Sequence, residues 1–161
     1  MIDFSVMDLK GIIKAKKMVL NDTTWHSGKL KKNDFPLSKN RGLKLGSQWE
    51  WRIITFLCLG CELRLLISFN SAKSSSNSWL GVSVKSDTVV LARIEFHATH
   101  GTWHVHTNCG NTENIIPGIT GGNSLRKLSS NHDKPPSTKD EVYGYVTDRV
   151  KLFNEEFELE S

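Results

Sequence analysis

Cysteine is scarce: three residues in a chain of 161, an odd count too small for a disulfide framework. Long apolar runs are missing as well. The longest, IITFLCLG over residues 53–60, is far short of the roughly 20 residues that a bilayer helix needs. The opening MIDFSVMDLK has no basic start followed by an apolar stretch, so no secretory signal is expected. Neither a Walker motif nor a dinucleotide-binding glycine pattern occurs, which leaves nucleotide-triphosphate chemistry without support. Together these absences lead us to expect a reduced, cytoplasmic protein with no membrane partner. The length suits a single domain over residues 1–161.

What the chain does have is charge, unevenly spread. The net charge is +4, yet residues 10–44 hold ten Lys and Arg against only Asp22 and Asp34. The stretch from 135 onward holds seven acidic residues against three basic ones. A concentrated basic segment favours a polyanion, most commonly nucleic acid.

SVMDLKGIIKAKKMVLND, residues 5–22, spaces Val6, Leu9, Ile13 and Leu20 as a helical stripe with lysines opposite. Residues 21–48, with Gly28, Pro36, Gly42 and Gly46, read as loop. From Trp49 the pattern changes to strands: WEWRIITFLCL, ELRLLISFN, WLGVSVK, TVVLARIEFHATH and WHVHTN. Gly60-Cys61 is the expected turn of the first hairpin. Residues 110–137, rich in Gly, Asn, Ser and Pro, read as a long loop. STKDEVYGYVTDRVKLFN then reads as a helix, with Thr138 and Glu141 spaced as a capping box and Val142, Val146, Val150 and Phe153 on one stripe. The acidic end, residues 155–161, is expected to fray. The expected architecture is α+β: a curved five-stranded antiparallel meander with N- and C-terminal helices packed on one face.

RIEFHATHGTWHVHTNCG, residues 93–110, carries four of the six histidines. A two-residue turn at Gly101-Thr102 would pair His97 with His106 and Thr99 with His104. One face would then carry Ile94, Phe96, Ala98 and Val105, and the other Arg93, Glu95, His97, His104 and His106. Extending the alternation to neighbouring strands adds Arg64 and Lys85 to the polar face.

This constellation suits metal-free cleavage of a phosphodiester. Imidazoles titrate near neutrality, so one can take a proton while another gives one. The candidate catalytic residues are His97, His104, His106 and Glu95; Arg64, Lys85 and Arg93 would hold phosphate. A Glu/Arg/His set on an antiparallel sheet is similar in layout to small microbial ribonucleases, without a sequence match. The expected partner is nucleic acid, RNA favoured, with a protein partner also open, and no cofactor. If the chain is an enzyme, it is endoribonuclease-like, and a bacterial toxin or defence component would suit its size and charge.

Two alternatives stand beside this one. His104-x-His106 with His97 opposite could bind zinc with one position open, as in a zinc-dependent hydrolase. Alternatively the chain is a non-enzymatic, basic nucleic-acid-binding subunit of a larger assembly. A four-ligand zinc site from Cys58, Cys61, His106 and Cys109 would require the first and last strands of the meander to meet. Histidines on an open sheet face can also be plain solvated residues.

Overall fold

The computed structural model describes residues 9–28, 30, 45–84, 87–96, 103–107, 124–127 and 135–150. Its centre is a run of long antiparallel strands, β3 (Trp49–Cys58), β4 (Cys61–Asn70), β5 (Ser75–Val84) and β6 (Asp87–Phe96), continued by β7 (Trp103–Thr107). Each pairs with the next. On one flank β1 (Lys17–Asp22) and the short β2 (His26–Ser27) both pair with β3. On the other, β8 (Ser124–Lys127) pairs with β7. Among the described residues the sheet therefore has eight strands in the order β1-β3-β4-β5-β6-β7-β8, with β2 beside β1 along β3.

This corrects the expected five-stranded sheet with a helix at each end. Helix α1 is confined to six residues, Leu9–Lys14, and the second half of the expected N-terminal helix is strand β1. Gly11 weakens a helix locally. Met18 and Val19 instead find ladder partners on the edge of β3, opposite Leu57 and Phe56, and pairing overrides the helical spacing of the apolar residues. Ser124–Lys127 lies inside the stretch expected to be loop. The acidic end at 155–161 lies outside the described residues.

The β3–β4 turn is also displaced by one residue from expectation. Leu59 and Gly60 form it, both with positive φ (53° and 75°), and Cys58 faces Cys61. Positive φ at both central residues defines the type I′ turn, whose twist matches that of the flanking strands. The shift preserves the faces. Ile54, Phe56 and Cys58 point the same way as Leu65, Leu63 and Cys61, all buried.

Both sheet faces are covered at the β3–β5 end. On one side Ile54, Phe56, Leu63, Leu65, Ile67, Leu80 and Ile94 pack with Val142, Val146 and Val150 of the C-terminal helix and with Ile12. That helix, α2 (Lys139–Arg149), is capped by Thr138, whose hydroxyl accepts from the Glu141 amide at 3.1 Å. Glu141 reaches back to the Ser137 amide and hydroxyl, both at 3.0 Å. On the opposite side Trp51, Ile53, Leu66, Trp79 and Val90 form a second core with Leu30 and Leu45. The face expected to be open and polar is thus partly an interior.

An ion pair and a ring stack pin the flanks. Arg52 donates from Nε and Nη2 to the two carboxylate oxygens of Asp22, at 2.8 and 2.6 Å, and its guanidinium lies 4.0 Å from the Tyr143 ring centre. Strands β1 and β3 and helix α2 meet there. Burial alone would raise the Asp22 carboxyl. Hydrogen bonds from Arg52 and the Thr24 amide, with the guanidinium charge, outweigh it and leave Asp22 below its usual range. Trp103 stacks on Tyr145 at 4.2 Å between ring centres, tying β7 to α2.

Two predictions follow from this packing. Phe56 is 0% exposed and its neighbour Leu57 37%, so Phe56→Ala should cost about 3–5 kcal/mol in urea unfolding while Leu57→Ser stays within about 0.5 kcal/mol. Because the Asp22 carboxyl is held low in the folded state, its contribution is present above the usual aspartate range and is lost as pH falls through its lowered value. Asp22→Asn should therefore weaken the fold at neutral pH and flatten the acid limb of the stability curve, read by thermal melts across pH.

Candidate functional site

Strand β6 presents Arg93 and Glu95 on the face opposite α2, because Ile94 and Phe96 occupy the helix side. Glu95 is only 4% exposed. Its Oε2 lies 3.0 Å from Arg93 Nε, an ion pair whose N–H does not align as a hydrogen bond. Directly opposite on β5 stands Asn77, whose amide nitrogen, turned toward the carboxylate, donates to the same oxygen at 2.9 Å and to the Ser76 carbonyl at 3.3 Å. Next along the rung is Ser68, whose hydroxyl donates to the Asn77 carbonyl at 2.6 Å. A buried carboxylate is tolerable only with such company.

On the other side of β6 the ladder places His104 opposite Glu95 and His106 opposite Arg93. One further strand out, Lys127 is opposite His104 and Leu125 opposite His106. A single rung thus runs Ser68, Asn77, Glu95, His104, Lys127. Opposed residues of an antiparallel pair have Cα atoms about 4.5–5.5 Å apart, so Glu95 and His104 occupy positions from which a carboxylate and an imidazole can meet.

The pairing differs from the expected one by four residues. Arg93, not His97, is opposite His106, and Glu95, not Thr99, is opposite His104. Residues 97–102, with the expected turn at Gly101-Thr102, lie outside the described residues. An even shift leaves every residue on its expected face. His97 and Lys85 lie outside the described residues. Arg64 shares the face but sits two strands away and one same-face position along, roughly 12 Å across the sheet from Arg93. Trp79, Gly81 and Val90 occupy the ground between. Among the described residues, no three metal-ligating side chains converge.

Ser68, Asn77 and Lys127 are the members of the rung that sequence reading missed. Asn77 stands in SAKSSSNS, whose serines read as a loop, although Ser76 and Ser78 are buried strand residues. Lys127 belongs to a four-residue strand too short for any periodicity to declare.

Compared with known proteins, the chain matches no family model, no curated protein and no solved structure. No helix among the described residues is long and apolar enough to cross a membrane.

The Arg93–Glu95–Asn77 contact makes a stability prediction. Glu95→Gln keeps the volume but removes the counter-charge of a partly buried guanidinium. It should cost about 1–3 kcal/mol in chemical denaturation, and Arg93→Gln in the same background should add little beyond it.

Proposed function

We propose that the chain is a small, basic, nucleic-acid-directed protein that cleaves RNA phosphodiesters by acid–base catalysis, acting in the reducing cytoplasm. The carrying observation is the pair of neighbouring rungs, Glu95 with His104 and Arg93 with His106. Such cleavage needs a base for the attacking 2′-hydroxyl, an acid for the leaving oxygen and a cation for the phosphate. His104 and His106 supply the acid and base, Glu95 orients His104, and Arg93 faces the phosphate. Arg64, two strands away, stands apart from this pair, while His97 and Lys85 lie outside the described residues. The basic segment around residues 10–44 supports a polyanionic substrate. The reduced thiols Cys58 and Cys61 suit a reducing compartment. A toxin or defence role fits a nuclease of this size.

The zinc alternative drew its third ligand from His97 opposite His106, a position that Arg93 takes. The test is cleavage of a fluorescent RNA in chelator, from about pH 5 to pH 8. The wild type should cut with a bell-shaped pH profile. His106→Ala and His104→Ala should each lose about a hundredfold or more in rate while RNA affinity changes only a few-fold. RNA binding without cleavage at any pH would replace this reading with the non-enzymatic binding subunit. Activity restored only by added zinc would replace it with the hydrolase.

A further inference from the structure

Cys58 and Cys61 are the last and first residues of β3 and β4 and stand opposite one another across the Leu59-Gly60 turn. Both are reduced thiols, outside any disulfide and each 2% exposed, in the same apolar cluster on the helix side of the sheet. Opposed residues that close a two-residue turn exchange both backbone hydrogen bonds and hold their Cα atoms about 5.5 Å apart. Disulfides span Cα separations of about 4.4–6.8 Å. The two side chains also leave the sheet on one face, as a bridge requires. The turn that joins them is the accessible part: Leu59 is exposed and carries a left-handed backbone, which costs a non-glycine residue about 1–2 kcal/mol.

One thiol is also a contact. Cys58 Sγ donates to the carbonyl of Ile12, in α1, at 3.8 Å, and Cys61 Sγ donates to the Leu59 carbonyl at 3.6 Å. A sulfur in a disulfide has no proton to give.

We propose that Cys58 and Cys61 are an oxidative modification site, closing to an intrachain disulfide under a two-electron oxidant and loosening α1 from the hairpin as they do so. Two S–H bonds break and one S–S bond forms. The two hydrogens and two electrons pass to the oxidant, so that a peroxide leaves as two waters and a glutathione disulfide as two glutathiones. In the reduced protein burial raises the Cys61 thiol above its ordinary pKa. The site is then quiet until the turn opens and a thiolate forms.

The experiment uses the full chain with Cys109→Ser, equilibrated in glutathione buffers of graded potential and quenched with N-ethylmaleimide in denaturant. Both adducts should disappear together, with the loss of two hydrogens from the intact mass and no dimer on a non-reducing gel. Cys58→Ala and Cys61→Ala should each abolish this closure, and either one suffices if the other fails to fold. Hydrogen exchange at the Ala15 amide, which bonds to the Gly11 carbonyl at 2.9 Å and closes the end of α1, should quicken about fivefold on oxidation, the equivalent of about one lost hydrogen bond. Two adducts persisting in the folded chain, under buffers that close the urea-unfolded chain, would overturn the site. Closure with unchanged exchange at Ala15 would overturn its coupling to α1.

Discussion

The register of the β3–β4 hairpin is the constraint on which the rest hangs. These two strands pair over ten rungs, from Trp49 with Asn70 to Cys58 with Cys61, and both of their faces are buried over much of that length. Side chains in a strand alternate strictly, so a slip of one residue would send Phe56 and Leu63 out and bring Leu57 and Glu62 in. The Leu59-Gly60 turn forbids that slip by fixing which residues close the hairpin. Each neighbouring strand then inherits its facing: β1 from β3, β5 from β4, and through β5 the strand that carries Arg93 and Glu95.

Burial on both faces explains how a chain of modest apolar content sustains so broad a sheet. The helix side holds the larger core. The opposite side is divided between an apolar region under Leu30 and Leu45 and a polar rung through Ser68, Asn77 and Glu95. The carboxylate is buried, so its geometry is set by Arg93 and Asn77 rather than by solvent. A fixed carboxylate beside an imidazole position is what acid–base chemistry asks of a scaffold. The histidine strand β7 lies between β6, which carries this carboxylate, and the short β8.

Much of this was legible in the residues. The strands from Trp49 to Thr107 announce themselves through Ile, Leu, Val and Trp at alternating positions. The capping pair Thr138 and Glu141 marks the start of α2. Faces came out well because both displaced turns moved the pairing by an even number of residues. Other features are set by tertiary pairing and leave little local trace. Strand β1 carries apolar residues at spacings that a helix would also use. The second core draws on Leu30 and Leu45, each isolated in a polar stretch. Between Leu80 and Gly81 the β5–β6 register shifts, so Gly81 faces Val90 while Leu80 faces Ala92, and Leu91 is the extra residue. That bulge inverts the alternation along β6, and strict alternation would have put Val90 and Ala92 on one face.

A second irregularity lies on the opposite flank. Along β1 the pairing skips from Val19 with Phe56 to Asn21 with Thr55, so Leu20 is a surplus residue on the outermost of the described strands on this flank. Beside it Met18, Leu57 and Leu59 are exposed, an apolar margin of the kind that recruits further strands and seeds fibrils. An incoming strand would have to match two residues against one at Leu20, and regular hydrogen bonding would fail there. A two-against-one step of this kind is one of the devices by which natural sheets blunt an edge.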